Sequence, residues 1–155
     1  MVQLDPSGKF LYVVCSTAAA ISQYSIAPNG SLSALTPGTV TTGAGPHALA
    51  VSPIGNYVYV ANKSDNTVSA FQFDGTTGLL TALPGSPFAV TSGITAAHAV
   101  SVSPNGKFLI VTGDTSGNAA IFAIASSGGL TSAGAPIAVG ANPRSATFIE
   151  LSRQE

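Results

Sequence analysis

The sequence predicts an all-β fold built from β-propeller blades: three four-stranded antiparallel blades followed by one more inner strand, a partial or half propeller. Three observations carry that reading. Eleven residues recur with small changes, as DPSGKFLYVVC at 5–15, SPIGNYVYVAN at 52–62 and SPNGKFLIVTG at 103–113. The copies stand 47 and 51 residues apart, a period in the range of propeller blades and other repeat arrays. Within each unit the apolar residues come in short runs rich in β-branched and aromatic side chains, bounded by Pro, Gly, Asn and Asp, with no sustained helical period.

The middle unit shows the four strands most clearly. HALAVS at 47–52 reads as strand A, YVYVAN at 57–62 as strand B, TVSAFQF at 67–73 as strand C, and 79–83 as strand D. SPIGN turns A into B and DGTTG turns C into D; in both, Gly supplies the positive φ that a tight turn needs. In HALAVS the large Leu49 and Val51 alternate with the small Ala48 and Ala50, as suits a blade packed between two neighbours with both faces dry.

The other units follow by counting. From Pro6, Pro53 and Pro104, equal steps reach Ile21, Val68 and Ala119, then Tyr24, Phe71 and Phe122, then Ile26, Phe73 and Ile124, and finally Leu32, Leu79 and Leu130. That ungapped register of 26 residues argues against a β-sandwich, which has no reason to keep it. The whole chain, 1–155, is thus one propeller segment with blades at about 1–42, 43–93 and 94–140 and a closing strand at 144–151. The first blade begins with only a stub of strand A, Met1–Leu4.

Composition narrows the function classes. Apolar residues make up 45% of the chain and charged ones only 7%, with five basic and six acidic residues scattered singly, so neither nucleic acid nor a membrane surface is an expected partner. No apolar run approaches the roughly 20 residues that span a bilayer, and MVQLDPSG lacks the regions of a signal peptide. Sparse charge and a Ser/Thr/Gly-rich surface point to an extracytoplasmic setting, whose signal would lie outside this sequence. Two histidines and one cysteine, far apart, make no zinc site; GAGPHA at 43–48 leads into a strand and so offers no helix N-terminus to a pyrophosphate. There is no G-x-S-x-G elbow, and no cofactor is called for.

The run PHALAVSPIGNYVYVAN followed by TVSAF resembles the YVTN-type repeat of the lactonase propellers, a group that includes 6-phosphogluconolactonases and fungal muconate-cycloisomerising relatives. The resemblance extends over essentially the whole chain. Other propeller signatures are missing: with no Trp there is no WD dipeptide, and no strand carries a kelch-like double glycine.

Six positions before each origin stand His47 and His98, and NPRSATFIEL continues the series at Arg144. Equal offset places all three at the first residue of successive inner strands, at one mouth of the central channel. The B to C loops and the D to A connections return to that mouth, and the D to A connections vary most in length. The resemblance implies hydrolysis of a sugar lactone such as 6-phosphogluconolactone, with His47 and His98 as catalytic residues activating water and Arg144 holding an oxyanion or a small anionic group of the substrate. No carboxylate shares the offset, although relatives use one beside His and Arg. Asp65 and Asp114 lie at the right end but read as turn-formers in exposed loops. The alternative is a non-catalytic propeller that binds a ligand or a protein through its loops. Three blades do not close a ring. The chain is therefore expected either to be the C-terminal portion of a longer propeller or to pair into a six-bladed homodimer, with Ser145–Leu151 of each copy lying beside Phe10–Val14 of the other.

Overall fold

The computed structural model describes residues 1–90 and 93–148. Three antiparallel sheets follow one another along the chain. The first holds β1 (Val2–Leu4), β2 (Phe10–Cys15), β3 (Ala20–Ile26) and β4 (Leu32–Thr41) in that order. The second holds β5 (Pro46–Val51), β6 (Tyr57–Asn62), β7 (Thr67–Phe73) and β8 (Leu80–Ala82), with β9 (Phe88–Ala89) also on β7. The third repeats this with β10 (Ala97–Val102), β11 (Phe108–Gly113), β12 (Asn118–Ile124), β13 (Leu130–Ser132) and β14 (Ile137–Ala138). The expected blade architecture is present, with its inner strands, β1, β5 and β10, side by side.

The repeated eleven residues are explained by the turn they build. Asp5 Oδ1 accepts the Phe10 amide at 2.8 Å, and Ser103 Oγ accepts the Phe108 amide at 2.9 Å. Gly8, Gly55 and Gly106 carry φ of +71°, +88° and +67°, a region that disfavours any side chain. The D/S-P-x-G motif thus closes strand A onto strand B, and the aromatic at its end begins strand B.

Two apolar clusters sandwich the middle blade. Leu49, Val58, Val60, Phe71, Phe73 and Leu80 face blade 1, meeting Phe10, Tyr12 and Ile21. Ala48, Ala50, Tyr59, Val68 and Ala70 face blade 3, meeting Val100, Leu109, Val111, Phe122 and Leu130. The large and small residues of HALAVS therefore serve different neighbours. Each joint also carries a latch. The buried Tyr12 hydroxyl donates to the Gly78 carbonyl at 2.8 Å, and the buried Tyr59 hydroxyl donates to the Gly128 carbonyl at 2.9 Å. A Cβ on Gly78 would meet the Phe10 ring, and one on Gly128 would meet Tyr57, so the C–D turn of each blade is a socket for an aromatic of the blade before it.

Three expectations need correction. Phe73 pairs with Leu80, whereas Ile26 pairs with Leu32 and Ile124 with Leu130. Leu80 is therefore the structural equivalent, not Leu79, because the connection DGTTGL at 74–79 is one residue longer than APNGS at 27–31 and ASSGG at 125–129. Strand D of the second and third blades is also split in two where LPGSP and AGAP intervene. Of the expected closing strand at 144–151, residues 144–148 pair with no strand and 149–151 lie outside the described residues. Strand A is defined by a strand B beside it, and among the described residues none stands free to pair with 144–148.

Candidate functional site

Strands β5 and β10 each skip one residue of their ladder. Pro46 pairs with Asn62 and Ala48 with Ala61; Ala97 pairs with Gly113 and Ala99 with Thr112. His47 and His98 are the skipped residues. A bulge of this kind leaves its extra residue unpaired and re-aims the side chain, and here it brings the two imidazoles together, with ring centroids 3.8 Å apart and planes inclined by 36°. His47 Nδ1 lies 3.3 Å from the His98 carbonyl oxygen. A carbonyl only accepts, so this contact requires the proton on Nδ1 and leaves Nε2 of neutral His47 with its lone pair.

The rings differ in setting. His47 is exposed, whereas His98 is 5% exposed and its Nδ1 is buried with no partner among the described residues. Burial pushes the His98 pKa below its usual value, helped by charges on His47, Lys63 and Arg144 and opposed by Asp114. The neutral form of His98 is accordingly favoured.

Both histidines line an open cavity of about 580 Å³ on the channel side of the inner strands, together with Met1, Gln3, Arg144 and Thr147. Arg144 is exposed there, and the residue before it is tethered: Thr112 Oγ1 donates to the Pro143 carbonyl at 3.0 Å. The three residues singled out by repeat offset thus border one cavity.

The carboxylate that the offset failed to supply stands close by. Lys63 Nζ lies 2.6 Å from Asp114 Oδ2, joining the B–C loops of blades 2 and 3. Asp114 is buried, not exposed as its loop position suggested, and its Oδ1 has no partner among the described residues. The hydrogen bond from Lys63 holds its carboxyl below the usual range against the opposing effect of burial. A signal was available, since both residues stand ten positions after their blade's origin proline. Opposite charges at equal offset in adjacent blades are placed to pair. Asp65, by contrast, is exposed and accepts from the Ala44 amide and the Thr67 hydroxyl, both at 2.8 Å, which is the turn-holding role expected of it.

Residues 1–150 match the family model described as lactonase, seven-bladed β-propeller. The chain belongs to this lactonase family. Among similar proteins, the 6-phosphogluconolactonase of Pectobacterium carotovorum is 29% identical over 130 residues, and that of Serratia proteamaculans 31% over 130. Both alignments cover 81% of this chain and 39% of the relative, so this lactonase-family chain spans about two-fifths of their length. The solved structure of the periplasmic gluconolactonase of Pseudomonas aeruginosa superposes with a TM-score of 0.79 at 29% identity, over 92% of this chain and 42% of that one. A Lactobacillus plantarum protein, at 20% identity and TM-score 0.84, shares the lactonase fold over 97% of this chain.

Proposed function

We propose that this chain carries the histidine-bearing part of a lactonase channel and takes part in opening a sugar lactone, 6-phosphogluconolactone being the first candidate. The observation that carries the proposal is the stacked histidine pair, with the His47 tautomer set by the His98 carbonyl, in a cavity shared with Arg144.

His47 Nε2 takes a proton from water as the water oxygen bonds to the lactone carbonyl carbon. Negative charge develops on the former carbonyl oxygen, and the Arg144 guanidinium stabilises it or holds an anionic substituent of the sugar. The ring C–O bond then breaks, the imidazolium returns its proton to the departing ring oxygen, and the product is the open-chain hydroxy acid. His98 acts mainly by position, its carbonyl orienting His47 and its neutral ring packing beside it. Support for a sugar lactone comes from the similarity to lactonases acting on such compounds, and support for an anionic substituent from Arg144.

The test is the opening of 6-phosphogluconolactone followed by proton release at constant pH, corrected for spontaneous hydrolysis. Turnover above background that His47→Ala abolishes supports the proposal. Binding without turnover assigns the chain instead to the ligand-binding propellers.

A further inference from the structure

Each of the three site residues follows a left-handed residue by two positions: Gly45 (φ +63°) before His47, Ala96 (φ +58°) before His98 and Asn142 (φ +53°) before Arg144. Glycine and asparagine tolerate this conformation, whereas an alanine Cβ crowds the following carbonyl oxygen. A strained alanine persists only where its surroundings over-determine it. Here they do. The Ala96 carbonyl accepts the Asp114 amide at 3.1 Å, and the Thr95 amide donates to Ser116 Oγ at 3.2 Å. Asn66 completes the grip: its Nδ2 donates to the Ile94 carbonyl at 2.8 Å, and its Oδ1 accepts the Ala97 amide at 3.1 Å. Its own carbonyl accepts the Val90 amide at 3.2 Å, so one residue holds both ends of the connection into β10.

The backbone bond recurs in every blade, but the side-chain clamp does not. Ala19 and Gly117 stand where Asn66 does and accept the amides of Thr42 and Val139, yet neither has a side-chain amide. From the bonded amide to the site residue is five steps for Thr42 to His47 and for Val139 to Arg144, but eight for Val90 to His98. The clamp thus stands on the connection where the backbone bond alone governs its histidine least. The His47 proton depends on the outcome, because the carbonyl that fixes it belongs to His98, one residue beyond the clamped Ala97.

We infer that Asn66 is a positioning residue for the histidine pair: by pinning Ile94 and Ala97 it forces the turn at Ala96, and the bulge that follows presents the His98 carbonyl to His47. Its effect on turnover rests on the role proposed above for His47; its effect on the His47 tautomer does not.

Asn66→Gly is the test variant, because Gly117 already occupies the equivalent position at φ +65°. Nitrogen–proton correlation NMR with both rings neutral reads the tautomers, and the chain has only two histidines to assign. Wild type is expected to carry the His47 proton on Nδ1. Asn66→Gly should shift His47 towards the tautomer mixture of a free imidazole, and any lactone turnover should lose about 10- to 100-fold in kcat with KM little changed. Ala96→Gly, which leaves the clamp intact, should keep the tautomer and raise Tm by about 3 °C as the strain is relieved. Should Asn66→Gly not fold, the double replacement removes strain and clamp together and gives the same reading. An unchanged His47 tautomer in the folded Asn66→Gly or double variant overturns the inference, as does a fall in Tm for Ala96→Gly. A wild-type His47 without the Nδ1 proton overturns this inference and the catalytic reading alike. Wild type with that proton but no lactone opening overturns the catalytic reading alone, and a tautomer shift in Asn66→Gly then still supports the clamp.

Discussion

Tyr59→Phe isolates the latch between the second and third blades. Tyr59 is fully buried, its ring lies in the core cluster at that joint, and its hydroxyl donates to the Gly128 carbonyl at 2.9 Å. Burial, aided by the neighbouring Tyr57, pushes its pKa well up, so the hydroxyl remains a donor throughout the working pH range. Phenylalanine keeps the ring and removes only that donor. The loss comprises about 1 kcal/mol for the net hydrogen bond and at least about as much again for the buried carbonyl left without it. Expected destabilisation is therefore about 2 kcal/mol, or about 4–8 °C in Tm for a chain of this size. Urea unfolding at fixed protein concentration measures it, with the m-value unchanged because the surface exposed on unfolding is the same. Tyr57→Phe is the control: its hydroxyl donates to the Ser126 carbonyl at 2.7 Å, but in an exposed setting where water replaces the donor, so about 0.5 kcal/mol or less is lost. A Tyr59→Phe loss no greater than that of Tyr57→Phe would refute the view that the joints are held by buried latches.

The remaining predictions concern the cavity. Because folding lowers the His98 pKa from its ordinary value of 6.5, the unfolded chain takes up that proton first; stability therefore falls as pH drops through 6.5 and levels off below the folded pKa. His98→Asn should flatten that part of a Tm-against-pH curve, and an unchanged curve would contradict it. Asp114→Asn removes the charge that raises the His98 pKa, so NMR titration of the imidazole should find it lower than in wild type, and an unchanged value would show that the two do not interact. If the chain turns over lactone, His47→Ala should lower kcat by about 100-fold or more, while His98→Ala, which keeps the carbonyl that orients His47, should cost less. Arg144→Lys should chiefly raise KM for an anionic lactone, because an ammonium does not reproduce the guanidinium fork.

Much of this architecture was legible before any coordinates. The prolines, turn glycines and aromatic strand starts located every strand B and strand C, because each of those residues performs a local backbone task. Equal offset likewise brought His47, His98 and Arg144 to one cavity. Other features were hidden for physical reasons. A bulge is a relation between two strands, and nothing in PHALAV marks His47 as the residue its partner skips. Leu79 and Leu80 are chemically identical, so only pairing with Phe73 chooses between them. Asp114 looked solvent-exposed in GDTSGN because its burial depends on a lysine 51 residues away on another blade. Only the equal offset of Lys63 and Asp114 from their blades' prolines hints that the two loops touch.

The D/S-P-x-G turns and the glycine sockets lie at one end of every strand A and strand B, and the histidine bulges with the ion-paired loops lie at the other. Natural drift and deliberate engineering therefore meet two different regimes in one small molecule. Near the turns, almost any change disturbs a neighbour's seat and is filtered by folding itself. At the opposite rim, segments of unequal length already coexist on identical frames, so new chemistry can be tried there by exchanging loops while the assembly beneath goes on as before.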